Sequence, residues 1–151
     1  MIQYTACSSP FGNLLIGWED EAVVSLRLGQ LDSPPASAPV AELAAAQLQE
    51  YFAGTRKTFT VPVDLRGTPF QVSVWRELAR IPYGHTATYQ DIARAIGNEK
   101  AVRAVGMACN RNPLWIVVPC HRVIGTNRKL TGYAGGLSMK DALLKLESQY
   151  I

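Results

Sequence analysis

Residues 114–118, LWIVV, join apolar side chains without a polar break, and Pro119 follows. A run this short and apolar fits a strand buried on both faces, and a proline has no N–H with which to extend the ladder. The fold must close over this segment and end it at VPCHRVI, where Cys120, His121 and Arg122 stand side by side. A buried cysteine is most often a small hydrophobe. It becomes a nucleophile when a cation or a hydrogen-bond donor favours the thiolate, and His121 and Arg122 offer both. On a strand, neighbouring side chains point to opposite faces, so His121 assists the sulfur only if Pro119 bends the backbone or a water bridges the two.

A histidine that takes up a proton also needs a third group to fix its tautomer and hold its charge. Glu147 is the candidate. It lies four residues after Leu143 and three after Leu144, on or near the apolar face of the last helix. The helix dipole disfavours a carboxylate near a C-terminus, so Glu147 is expected to face inward toward a basic partner.

The 151 residues suffice to bury a core without disulfides. No apolar run nears the roughly 18 to 20 residues of a membrane span. The start, MIQYTACSSPFGNLLIGWED, lacks a basic segment leading into an apolar one. No secretory leader is therefore expected, and a cytoplasmic location is. Cys7, Cys109 and Cys120 are odd in number, which fits a reducing compartment. With His85 and His121 as the two histidines and no CxxC or HxxxH spacing, no metal site is expected. Charge is divided unevenly. Residues 1–65 carry three basic side chains against seven acids, net −4, and residues 66–151 carry twelve against five, net +7. The second half is where a polyanion would dock, although solvated basic faces without a partner are as common.

Two domains are expected, residues 1–66 and 67–151, in an α/β (α+β) fold. Alternation over 13–18 and the apolar segment 22–28 predict a small antiparallel sheet. Val40, Leu43, Ala44, Leu48, Tyr51 and Phe52 predict a helix ending at Gly54, and 59–65 reads as an edge or irregular strand broken by Pro62. In the second part, Phe70, Val74, Trp75 and Leu78 form one helical face. Thr88 and Asp91 have capping-box spacing ahead of a helix that Gly97 stops. A turn of two or three residues then leads into KAVRAVGMACN, together a helix-turn-helix pattern. Ala101, Ala104, Gly106 and Ala108 make that second helix slim, with Arg103 projecting from its middle. Ser138 and Asp141 form a second capping-box pattern before Leu143, Leu144 and Leu146.

PCHRVI, preceded by NRNPLWIVV and followed by GYAGGLSMKDALLKLE, resembles the active-site region of the O6-alkylguanine-DNA alkyltransferases, also called methylated-DNA-protein-cysteine methyltransferases. The resemblance is close from about Thr68 to Glu147. It implies a ribonuclease H-like first lobe and a mainly helical, winged helix-turn-helix-like second domain. It implies that Cys120 takes the alkyl group of O6-alkylguanine, once and irreversibly, with O4-alkylthymine left open as a second substrate. His121 would reach the sulfur through a water, backed by Glu147, and Asn112 would hold the turn before the site. Tyr89 would rotate the damaged nucleotide out and donate to the base, and Arg103 would fill the vacated stack. Ala101, Ala104 and Arg122 would join the DNA contact. Tyr133, Ala134, Gly135, Val123 and Trp115 would line the base pocket, with Lys140 in support. The partner would be double-stranded DNA met through the minor groove, with no membrane, no cofactor and no metal. The protein would be a monomer, with cooperative loading on DNA left open.

Two other readings stand beside this one. A regulator could use the helix-turn-helix without transfer, although such relatives have replaced the cysteine. A Cys, His and Glu hydrolase is the second, poorly suited to a histidine adjacent to its cysteine.

Overall fold

The computed structural model describes residues 1–127 and 132–151 and divides into two compact units, Met1–Arg66 and Gly67–Ile151.

In the first unit β1 (Gln3–Ser9), β2 (Gly12–Glu19) and β3 (Ala22–Leu28) form an antiparallel sheet in chain order, followed by α1 (Pro39–Phe52). The alternation expected along β2 is not what the burial shows, because Leu14 through Trp18 are all buried. The central strand is covered on both faces: α1 packs on the sheet, and Leu15 on the other face meets the chain at Gly29. The buried positions of α1, Val40, Ala41, Ala44, Gln47, Leu48 and Tyr51, follow helical spacing. Leu43, expected among them, is 42% exposed. Gln47 clips the following segment: its Oε1 accepts from the Thr60 and Val61 amides at 3.0 and 3.1 Å. The 59–65 segment forms only an isolated parallel bridge, Val23 to Val63, as its Pro62 requires.

The second unit holds α2 (Pro69–Leu78), β4 (Ala87–Thr88), α3 (Tyr89–Ala95), α4 (Val102–Asn110), a 3-10 turn (Cys120–Arg122), β5 (Val123–Ile124) and α5 (Leu137–Gln149). Capping boxes start α2, from Thr68 and Gln71, and α3, from Thr88 and Asp91. Gly97, at φ 79°, ends α3 in a conformation that suits glycine. The turn to α4 spans residues 96–101, longer than the two or three residues expected. Ser138 and Asp141 form no capping box: α5 begins at Leu137 after Gly136 at φ 94°, which puts Ser138 inside the helix. Among the described residues no helix is long and apolar enough to cross a membrane.

Residues 114–118 are not a strand. Ile116 adopts φ 73°, rare for a β-branched side chain, and the Val118 amide reaches back to the Leu114 carbonyl at 2.9 Å. The apolar run is buried as a folded-back loop, with Leu114, Ile116 and Val118 facing inward. Such strain costs on the order of 1–3 kcal/mol and persists only where surrounding contacts over-determine it. Those contacts come from Asn112.

Candidate active site

Asn112 is buried at the end of α4 and ties both ends of the strained loop. Its Oδ1 accepts from the Leu114 amide at 2.9 Å, and its Nδ2 donates to the Val118 carbonyl at 2.8 Å. The same Nδ2 lies 3.3 Å from Cys120 Sγ, so one amide group shapes the loop and meets the sulfur. Pro119 then turns the chain into the 3-10 turn, whose helical sense replaces the opposed directions of a strand.

His121 is fully buried, and its Nε2 lies 2.6 Å from Glu147 Oε2. Arg122 Nε donates to Glu147 Oε1 at 2.8 Å and Nη2 to Oε2 at 3.0 Å, while Nη1 donates to the Ile81 carbonyl at 2.6 Å. The Gly84 amide adds a bond to Glu147 Oε1 at 3.2 Å. Glu147 therefore faces inward onto basic partners. Arg122, expected at DNA, is 7% exposed and turned into this cluster instead.

Burial raises the Glu147 carboxyl, but hydrogen bonds and charge from His121 and Arg122 outweigh it and bring the value down to about 2. Burial lowers His121, against the pull of Glu147. The cluster is thus an ionised carboxylate beside a neutral imidazole. A carboxylate only accepts, so Nε2 carries the ring hydrogen and Nδ1 holds the lone pair. Nδ1 is buried, with no hydrogen-bond partner among the described residues. Burial pushes the Cys120 thiol up to about 11, although the Asn112 bond and the charge of Lys140 pull it down. The sulfur rests as a thiol, and a neutral base is at hand. That pair can deliver a thiolate only when the proton moves.

Of the residues expected in the base pocket, Tyr133 and Lys140 lie within electrostatic reach of the same sulfur. Tyr133 is buried, its hydroxyl is without a partner among the described residues, and its ring centroid lies 6.0 Å from that of Trp115. A Cβ on Gly135 would meet Met139 Sδ at 2.6 Å, Tyr133 Cε2 at 2.9 Å and Trp115 Cζ3 at 3.2 Å, so only glycine lets this wall close. Ala134 is exposed, Val123 is buried in β5, and Lys140 is buried with Nζ 5.8 Å from the Tyr89 ring centroid. The parallel pairing of Ala87 with Val123 and Thr88 with Ile124 sets Tyr89, the first residue of α3, beside the end of the cysteine turn.

Arg103 and Ala104 are exposed on α4 and Ala101 is half-buried at its start, so none of the three enters the buried cluster. They lie away from the buried face of α4, formed by Val105, Ala108 and Cys109. Sequence reasoning missed Ile81 and Gly84, which bind Arg122 and Glu147 through backbone groups. The available signal is the PYG turn at 82–84, whose backbone groups carry no side-chain mark of their partners. It also missed Met139, whose helical phase marks it as core and nothing more.

Residues 2–65 match the ribonuclease-like domain of 6-O-methylguanine DNA methyltransferases and residues 69–149 match their DNA-binding domain. The chain is 49% identical to a constitutive methylated-DNA–protein-cysteine methyltransferase of Bacillus subtilis, covering 97% of this chain and 96% of that protein. It is 50% identical to a methylated-DNA–protein-cysteine methyltransferase of Methanosarcina acetivorans, covering 95% and 97%. Among solved structures, Mycobacterium tuberculosis O6-methylguanine methyltransferase superposes with a TM-score of 0.90 at 44% identity, covering 100% of this chain and 95% of that one. The Mycobacterium tuberculosis protein solved in complex with DNA matches equally, at 0.90 and 44% over 97% and 93%. Both units are matched along nearly their whole length, and the chain belongs to the 6-O-methylguanine DNA methyltransferase family.

Proposed function

We propose that this protein repairs alkylated DNA by moving the alkyl group of O6-alkylguanine, methyl above all, onto Cys120, once per molecule. The observation that carries the reading is the buried cysteine turn, where Asn112 touches the sulfur and a neutral His121 is paired with an ionised Glu147. In the step, the Cys120 S–H proton passes to His121 Nδ1, directly or through a water. The sulfur pair attacks the alkyl carbon as the bond from that carbon to guanine O6 breaks. The bonding pair stays on the purine, and the proton held by His121 returns to it. The products are S-alkylcysteine and guanine, and the balance calls for no added cofactor. O4-alkylthymine carries the same kind of O-alkyl bond and is the second substrate to test.

The target oxygen is inaccessible in a stacked duplex, so the nucleotide must leave the helix at a cost of roughly a few kcal/mol. Arg103 on the exposed side of α4 is suited to fill the gap, and Tyr89, at the start of α3, to turn the nucleotide and donate to the base. The small residues Ala101 and Ala104 let the helix approach closely, which suits the minor groove. The net +7 of residues 66–151 supplies the attraction to phosphate. The Mycobacterium tuberculosis relative crystallised with DNA supports DNA as partner. The protein acts as a monomer, and the domain that binds DNA and accepts the alkyl group is residues 67–151.

Incubation with a duplex containing O6-methylguanine, followed by peptide mapping, tests this. One methyl group is expected on the Cys120 peptide and none on the Cys120→Ala protein. Transfer that persists in Cys120→Ala would sink the reading.

A further inference from the structure

Arg122 follows the cysteine and histidine directly, yet its guanidinium is engaged inside the protein. Nε and Nη2 grip the two oxygens of Glu147 at 2.8 and 3.0 Å, Nη1 holds the Ile81 carbonyl at 2.6 Å, and Cζ lies 5.7 Å from the Tyr83 ring centroid. We propose that Arg122 is a positioning residue for proton transfer: its two-pronged grip on Glu147 fixes which nitrogen of His121 faces the reaction. The proposal rests on the alkyl-transfer reading.

A carboxylate held by one hydrogen bond can rotate about its last bond. A carboxylate gripped at both oxygens by a planar fork cannot, and Arg122 is itself anchored to the backbone at Ile81. Glu147 Oε2 is thereby fixed 2.6 Å from His121 Nε2. The hydrogen is fixed on Nε2, and the lone pair is left at the buried Nδ1. Without the fork, the imidazole could exchange tautomers or share its hydrogen with a carboxyl free to turn. Lysine would keep the charge but offer a point contact in place of a fork. Other ionisable groups reach the cluster from around it: Lys140 from α5, Cys109 from α4, Tyr133 ahead of α5, and Tyr83 from the turn after α2, itself influenced by Tyr150. All are retained in the variants below.

The test compares the full-length wild type with Arg122→Lys and Arg122→Gln. Three quantities are measured: affinity for unmodified duplex across salt concentrations, single-turnover transfer from O6-methylguanine duplex across pH, and the nitrogen-15 shifts of the His121 ring. The wild-type ring is expected to carry its hydrogen on Nε2. Arg122→Lys is expected to bind duplex as the wild type does, with unchanged salt dependence. Its transfer at saturating DNA should slow about tenfold to a hundredfold, the scale of a small misplacement in a reacting geometry. Its rate should climb with pH where the wild type is level, and its ring shifts should become those of mixed tautomers.

Weaker duplex binding with wild-type transfer at saturation would overturn the proposal and make Arg122 a DNA contact. A lower melting temperature with a wild-type pH profile would overturn it as well. Should neither variant fold, the wild-type ring decides: a hydrogen on Nδ1 contradicts the proposal. A wild type that transfers no methyl group defeats the alkyl-transfer reading instead, and the ring shifts of wild type and Arg122→Lys still judge the positioning claim.

Discussion

Glu19 is held between two cations at the surface of the first unit, and Glu147 between a guanidinium and a neutral imidazole inside the second. Glu19 Oε2 lies 2.6 Å from the Met1 ammonium and Oε1 2.8 Å from Arg66 Nη2. Glu147 has His121 and Arg122 at 2.6 and 2.8 Å. Both carboxyls sit below their ordinary value, Glu19 through hydrogen bonds from the chain terminus and Arg66, and Glu147 through His121 and Arg122 working against burial. Water makes the difference: the Glu19 side chain is 26% exposed and that of Glu147 1%. An exposed pair is screened by salt and adds little to stability. A buried pair incurs a large desolvation penalty that is offset only while every partner is present. Buried ion pairs are weak devices for stability, so one beside a cysteine and a neutral histidine points to chemistry.

Glu147→Gln should give the largest effect, because it leaves Arg122 buried without its counter-charge. A loss of about 3–5 kcal/mol in urea unfolding is expected, with transfer slower by roughly 10²-fold or more. An unfolding change as small as that of Glu19→Gln would erase the contrast between the sites. Asn112→Ala should follow, at about 2–3 kcal/mol, since the Leu114 amide and the Val118 carbonyl both lose a buried partner. Wild-type stability in that variant would mean the Ile116 loop is held by something other than Asn112.

Acid sharpens the comparison further. His121 is held below 6.5 and Glu147 at about 2 against 4.5, so both groups bind protons more readily in the unfolded chain. Stability from the cluster is complete above pH 6.5 and lost as pH falls, first through His121 and then through Glu147. Melting temperatures that stay level from neutral pH down to about 4 would contradict this. Arg103→Ala removes an exposed charge that, on the proposed reading, acts through DNA. Its melting temperature should match the wild type, while repair within a duplex falls about tenfold and transfer from the free modified base is kept. Equal losses on both substrates would remove the stacking role. Smallest of all, Glu19→Gln should leave the melting temperature unchanged at physiological salt, and a clear drop would show the surface network to matter.

Local signals were legible and non-local ones were not. The stop at Gly97 and the Thr88 and Asp91 box depend on neighbours within one turn, and both formed. The same spacing at Ser138 and Asp141 failed because Gly136 set the helix start two residues early. The inward face of Glu147 could be read from the phase of Leu143. The destination of Arg122 could not, since its partners lie 25 and 41 residues away. LWIVV carried burial in its composition but not its shape, which is imposed by the side chain of Asn112.

The central claim is that a thiol pushed up to about 11 by burial is activated by the histidine and carboxylate beside it. Single-turnover methyl transfer from O6-methylguanine duplex, followed across pH at saturating DNA, tests it directly. The account predicts a rate that is level from neutral pH upward and declines in acid as His121 takes a proton. A rate that rises in proportion to hydroxide until the thiol itself ionises near 11 would contradict it, because the sulfur would then be acting without a base.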